Sequence, residues 1–325
     1  VGLRQYPLKD FTMKRLLYLF QIILIGFIAI SLVFTLLQLT GDSNPLSKFD
    51  YKRPANSRVE DYDPSLIRLN SLDKLERYCD SLSLNVAYTA KTGEFEKRYS
   101  DIVSSVVRRR FYHGYSYYGF SNNYLSVLFS KLTNPGYKAI VIPDDILDYP
   151  FAACSQQSIV MMEVLKAKGF KTRKISFNGK KSGGHFCFEI FYNQSWHFYD
   201  PNMEPDVAVL NKYDRPDIAY LSNHPDILTA AYKQYPQEEV LDIFPNYTYG
   251  KVNIFPAPRA IVFQKVTKFL SYTIWLFFLI SFLLIRRKYK QITSKKYVRY
   301  SRIYFPQPQR ATTPSHYPGF TAPGS

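Results

Sequence analysis

The chain has 325 residues, of which 46% are apolar and 17% aromatic, and it carries a formal net charge of +16. That composition excludes a disordered chain and leaves room for one or two domains with a real core. The charge points to nucleic acid only until it is divided: residues 1–40 hold 4 Lys/Arg against 1 acid, residues 41–260 hold 27 against 25, and residues 261–325 hold 11 against none. A nearly neutral centre with basic flanks argues against nucleic acid as the partner.

In chain order, residues 1–15 are a short basic lead. Residues 16–39, "LLYLFQIILIGFIAISLVFTLLQL", run 24 residues without a charge. A bilayer core takes about 20 apolar residues, so this predicts a transmembrane helix. A cleaved signal peptide is the alternative, but its apolar region is about 7–15 residues with a small-residue cleavage site, and "TLLQLTGDS" offers none. Residues 40–65 are polar and proline-containing and read as a linker. Residues 66–260 form the central domain. Its first half predicts helices: "SLDKLERYCDSL" sets Leu72, Leu75, Cys79 and Leu82 on one face. The segment 94–118 is helical through its middle, with Phe95, Tyr99, Ile102, Val106 and Phe111 periodic. A shorter helix follows over 122–132, and "YKAIVIP" at 137–143 reads as a short strand or an extended segment leading to Pro143.

The second half reads helix–strand–strand–strand. "FAACSQQSIVMMEVLKAKGF" is a helix ending at Gly169, with Ser158, Met162 and Leu165 inward. "KTRKISF", "HFCFEIFY" and "WHFYD" are strands separated by turn residues. Residues 269–285, 17 in number and uncharged, predict a second transmembrane helix over 266–285, since Lys268 can snorkel. Residues 286–325 are basic and largely disordered by composition. The positive-inside rule puts both termini in the cytoplasm and the central domain outside it, with the lipid bilayer as one partner. A polybasic flank also suits anionic headgroups.

Three cysteines and five histidines bear on chemistry. Cys154, in the first turn of its helix, meets unpaired N–H groups and the positive end of the helix dipole, which favour the reactive thiolate. A packed cysteine or half of a disulfide fits that position too. Of the histidines, His316 lies in the tail, His224 in a surface turn, and His113 in an aromatic run that reads as core. His185 follows Gly183-Gly184 and opens a strand. If Asn193-Gln194 is a two-residue hairpin loop, Tyr192 faces Ser195 and Cys187 faces Asp200. His185 is then the diagonal neighbour of Asp200, and His197 faces the opposite way. A three-residue loop reverses this. A thiol, an imidazole and a carboxylate make a nucleophile, a base and an orienting group. The Cys154 N–H is one oxyanion donor, and Tyr149, Gln156 and residues 111–118 are the places to seek a second. Cys79 and Cys187 are free buried thiols or a disulfide. The cysteine spacing argues against zinc, and neither a calcium loop nor a phosphate-binding glycine loop is present, so no cofactor is expected.

A Cys-led helix ending in Gly, followed by "GGHFCFEIFYNQSWHFYDP", resembles the core of the transglutaminase-like superfamily over about residues 145–205. The positions that match are Cys154, His185 with Glu189 four residues on, and Asp200 after Trp196 and before Pro201. The family often has Gly shortly before its Cys, where this chain has Phe151-Ala152-Ala153. The resemblance implies an α+β, papain-like core, a Cys-bearing helix on an antiparallel sheet, set here between two transmembrane helices. It implies catalytic roles for Cys154, His185 and Asp200 in acyl transfer or hydrolysis of amides or peptides through a thioester, with a protein or peptide substrate outside the membrane. The family also holds non-catalytic members, so a binding or assembly module is the alternative.

Overall fold

The computed structural model describes residues 8–40, 61–89, 93–203 and 205–304. The protein is a mixed α+β chain with a long apolar helix at each end. Its elements are α1 (Leu8–Leu39), α2 (Leu72–Thr89), α3 (Glu94–Arg110), β1 (Tyr112–His113), α4 (Tyr124–Leu132), α5 (Pro143–Leu147), β2 (Phe151–Ala152), α6 (Cys154–Ala167), β3 (Lys171–Asn178), β4 (Gly184–Tyr192), β5 (Ser195–Tyr199), α7 (Val207–Asn211), α8 (Ile218–Asn223), α9 (Pro225–Ala231), α10 (Gln237–Ile243), β6 (Tyr247–Tyr249) and α11 (Pro258–Tyr304).

Among the described residues, 8–32 and 274–304 group as one compact unit and those from 33 to 273 as the other. In the first, Phe27 stacks on Phe278 with ring centroids 5.2 Å apart. Leu19, Ile22 and Ile30 of α1, and Phe277, Ile280 and Leu284 of α11, leave their side chains exposed. Residues Thr12–Leu39 and Pro258–Ser294 are long and apolar enough to cross a membrane, and a helix satisfies its own backbone polar groups there. Helix α11 runs on to Tyr304, so the first part of the basic tail, 286–304, is helical. This stretch has no Gly or Pro before Pro306 and is rich in Lys and Arg, which sustain helices. The rest of the expected tail, 305–325, and residues 41–60 of the expected linker lie outside the described residues.

The larger unit is built on an antiparallel sheet of order β5-β4-β3-β6. Side chains alternate between its faces. Phe188, Ile190 and Tyr199 point to one face, where Leu75, Tyr99, Val103, Ile159 and Met162 from α2, α3 and α6 form the core. Ile175, Phe177, Cys187 and Phe198 point to the other, under Ile218, Leu228, Tyr232, Val240 and Phe244. Helix α2 follows the expected face through Leu75 and Cys79, but Leu82 is 48% exposed.

Of the two readings of 137–143 the strand does not form, and Ala139 and Ile142 are extended residues leading to Pro143. Pro135–Lys138 is a 3-10 turn, Ala139 makes a single bridge to Tyr117, and Pro143 starts α5. Proline fits the first helical turn, where its missing N–H costs nothing. Between these elements Arg110, fully buried, donates to the carbonyls of Leu147 (2.6 Å) and Tyr149 (3.1 Å). Burial pushes its pKa down to about 10, so it stays charged at neutral pH. Its guanidinium thus ties α3 to the segment that enters β2 and α6. The parallel pair β1–β2 sets His113 opposite Ala152, just before Cys154.

Helix α6 ends as expected. Gly169 has φ +82°, its N–H donates to Lys166 O (2.9 Å), and the Phe170 N–H donates to Leu165 O (3.1 Å). A Cβ at Gly169 would meet nothing within 4 Å, so the cost of a side chain there is conformational alone. Gly169→Ala is expected to destabilise the protein by about 1 kcal/mol, read as a lower thermal midpoint of the detergent-solubilised chain, with Gly169→Asn falling between the two.

Candidate active site

Two local devices place His185 and Asp200. The first is the loop before β4. Asp242 accepts hydrogen bonds from the backbone N–H groups of Lys180 (3.1 Å), Lys181 (2.8 Å) and Ser182 (2.8 Å). Gly183 then takes φ +81°, and the strand starts at the next residue. The second is the turn between β4 and β5. Asn193 and Gln194 have φ of +46° and +62°, the signature of a two-residue type I′ hairpin. Tyr192 faces Ser195 and Phe188 faces Tyr199, so the next position sets Cys187 opposite Asp200.

The parity expectation is met. His185 Nε2 lies 2.8 Å from Asp200 Oδ2, and both side chains are buried. Asp200 is held from every side. Tyr232 donates its hydroxyl to Oδ2 at 2.9 Å, and the N–H groups of Asn202 and Met203 donate to Oδ1 at 3.0 Å. Burial favours the neutral acid, but His185 and these N–H groups outweigh it and hold the carboxyl below its usual range. Burial likewise favours the neutral ring of His185. The Asp200 charge opposes it, Cys187, the Asp200 hydrogen bond and Cys154 add to that, and the ring's pKa sits well above 6.5. An ionised Asp200 therefore accepts from a protonated Nε2, which leaves Nδ1 for other work.

Cys154 is the first residue of α6 and is 9% exposed. The Gln156 and Gln157 N–H groups both bond Ala153 O at 2.9 Å. The N–H groups of Cys154 and Ser155 take no partner among the described residues, so two donors and the helix dipole sit under the thiol. Gln156 and Tyr149 are not free to add an oxyanion donor. Gln156 accepts from the Ser116 and Ala153 N–H groups and donates to Ser116 O (2.9 Å) and Ile140 O (2.7 Å). The Tyr149 hydroxyl accepts from Asn122 and donates to Tyr117 O at 3.3 Å. What Gln156 does is hold residue 116 to the first turn of α6, while the Gly114 N–H reaches Ala152 O at 3.4 Å. Tyr115 lies between these two anchors and is 41% exposed. Burial and then the nearby Cys154 raise its phenol above the ordinary range, so it is a neutral O–H donor near the thiol.

His197 faces away, as expected. It stacks on Tyr192 with centroids 3.7 Å apart and bonds Ser195 Oγ and Arg215 O at 2.9 and 2.8 Å. Glu189 is a structural anion: it pairs with Arg173 at 2.6 Å and accepts from the Ile218 N–H at 2.9 Å. His113 is half-buried, and Asn202 Nδ2 lies 2.8 Å from its Nδ1, so it braces the loop after Asp200. Cys79, Cys154 and Cys187 are all free thiols. Tyr232 and Asp242 escape sequence reasoning, because nothing in "AAYKQY" or "VLDIF" marks a residue that closes on a site some 30–60 positions upstream.

No family model, curated protein or solved structure matches this chain.

The pair makes stability depend on pH in a defined window. His185, with a raised pKa, contributes fully below its ordinary value, and the contribution fades as pH rises through its folded value. Asp200, with a lowered pKa, contributes above its ordinary value and fades as pH falls through its folded value. Asp200→Asn is therefore expected to lower the His185 pKa, followed by NMR of its ring protons. The stability gap between variant and wild type should be widest between the two folded-state pKa values and narrow toward both extremes.

Proposed function

We propose that the protein is a membrane-anchored thiol enzyme of transglutaminase-like type, acting on amide or peptide bonds outside the cytoplasm. The observation that carries this reading is the buried His185–Asp200 bond beside a cysteine at a helix N-terminus with unpartnered N–H groups. Those are the three roles that thiol acyl transfer requires.

In this mechanism the Cys154 sulfur gives its proton to Nδ1 of His185, whose other nitrogen is oriented by Asp200. The thiolate attacks the carbonyl carbon. The C=O electron pair moves onto oxygen, and that oxyanion is met by the Cys154 N–H. Tyr115 is placed to be the second donor. Collapse of the intermediate breaks the C–N bond, and His185 returns its proton to the leaving amine or ammonia. The thioester is then resolved by a second amine or by water, with His185 as base. Asp200 stays ionised throughout and stabilises the imidazolium. The fold after Asp200 serves this role too, since Tyr232, Asn202 and Met203 all spend hydrogen bonds on its carboxylate. The basic flanks of the two apolar helices support cytoplasmic termini, so the domain and its substrate lie on the other side.

A thiolate paired with an imidazolium reacts at pH values where an ordinary thiol does not. Iodoacetamide is expected to carbamidomethylate Cys154 faster than Cys79 and Cys187, and His185→Ala to remove that advantage. Cys154→Ala should abolish thioester formation with an amide substrate, seen as a lost mass adduct. Slow, equal labelling of all three cysteines in the wild type would sink the proposal.

A further inference from the structure

The reaction above uses one thiol, yet a second one shares the His185 face of β4. Strand geometry sets His185 and Cys187, two residues apart, on one side of the sheet, and the hairpin register sets Asp200 opposite Cys187. One ligand atom from each of His185, Cys187 and Asp200 lies within 4.8 Å of the other two, and all three residues are buried. We propose that these three side chains form a binding site for a thiophilic divalent cation of the zinc class.

The donor set selects the ion. One sulfur, one imidazole nitrogen and one carboxylate oxygen suit zinc, whereas calcium and magnesium call for oxygen ligands throughout. The geometry is near what zinc needs. With bonds of about 2.0–2.3 Å, ligand atoms on a tetrahedral zinc stand about 3.3–3.8 Å apart, so small side-chain rotations close the set. The Nε2–Oδ2 separation opens from its present 2.8 Å as the cation replaces the proton between those atoms. On binding, Cys187 releases its thiol proton and His185 its ring proton to solvent. A thiolate and a carboxylate then neutralise the dication within a buried pocket. The carboxylate is already fixed from behind by Tyr232, Asn202 and Met203, an outer shell of the kind that orients metal ligands. Water fills the fourth position, entering where His185 keeps 8% of its surface exposed.

This cation takes the two atoms whose hydrogen bond orients the His185 ring. If the thiol mechanism holds, the loaded protein is silent toward amide substrates until the ion leaves. Only that inhibitory consequence rests on the proposed function, and binding itself does not.

Cobalt(II) titration of the detergent-solubilised full chain tests the site without an activity assay. The wild type is expected to bind one equivalent, with the intense visible bands of a tetrahedral ion and a thiolate-to-cobalt charge-transfer band in the near ultraviolet. Cys187→Ser should lose the charge-transfer band and bind zinc at least about tenfold more weakly, and Asp200→Asn should also weaken zinc by about tenfold or more. Cys154→Ser should keep both the spectrum and the affinity. The proposal is overturned by an octahedral or absent cobalt spectrum, by equal zinc affinity in Cys187→Ser, or by loss of the charge-transfer band in Cys154→Ser instead. Because Cys154 reactivity is measured separately, an inert Cys154 with intact cobalt binding would defeat the enzyme reading and leave the cation site standing.

Discussion

The register of β4 against β5 decides which side chains meet. Asn193 and Gln194 both adopt left-handed backbone conformations, each costing about 1–2 kcal/mol for a residue with a Cβ, and in return the strands pair through the shortest practical loop. One extra loop residue would carry Asp200 to the opposite face and leave the His185 ring without its carboxylate. The tip is held from outside the hairpin. A Cβ at Gly93, just before α3, would lie 1.5 Å from the Asn193 side-chain oxygen. The absence of a side chain at Gly93 is therefore part of what seats the turn.

The electrostatics follow from that register. A buried carboxylate is costly unless fully hydrogen-bonded, and a buried imidazolium costs more still without a counter-ion. Asp200 and His185 answer each other, and neighbouring groups meet the remaining capacity of the carboxylate. Cys187 faces the same pair, and the favourable pull of His185 on its thiolate is outweighed. Burial and then the Asp200 charge push its thiol well above the ordinary range, so it is a neutral S–H. Two thiols beside one ring therefore differ in kind: one sits over helix N–H groups, the other in an apolar cluster facing an anion.

Much of this was legible in the sequence where signals were local. The three strands, helix α6 with its glycine end, and the His185–Asp200 meeting follow from alternation, turn residues and parity. The Cys187–His185–Asp200 grouping follows from the same parity, but counting cysteine spacings along the chain does not read it as a donor set, because it closes across a hairpin. At 137–143 the extended reading holds and the strand reading does not, because the apolar run has one partner residue, Tyr117, and a proline at its end. The short helices α7–α10 carry few periodic positions each, so their packing over Cys187 and Phe198 is a tertiary fact with little local trace. Tyr232 and Asp242 belong to that same layer, which is why the groups supporting the site were missed when its central residues were not.

The grip of Asp242 on residues 180–182 also bears on how the chain meets a protease. The loop holds two adjacent lysines, Lys180 and Lys181, an inviting sequence for a trypsin-like enzyme. A protease must draw its substrate into an extended strand, and here three consecutive backbone N–H groups are already committed to one carboxylate. The exposed loop that leads into the His185 strand is thereby a poor substrate despite its sequence, and the fold guards the chain at the point where one cut would free the histidine from its register.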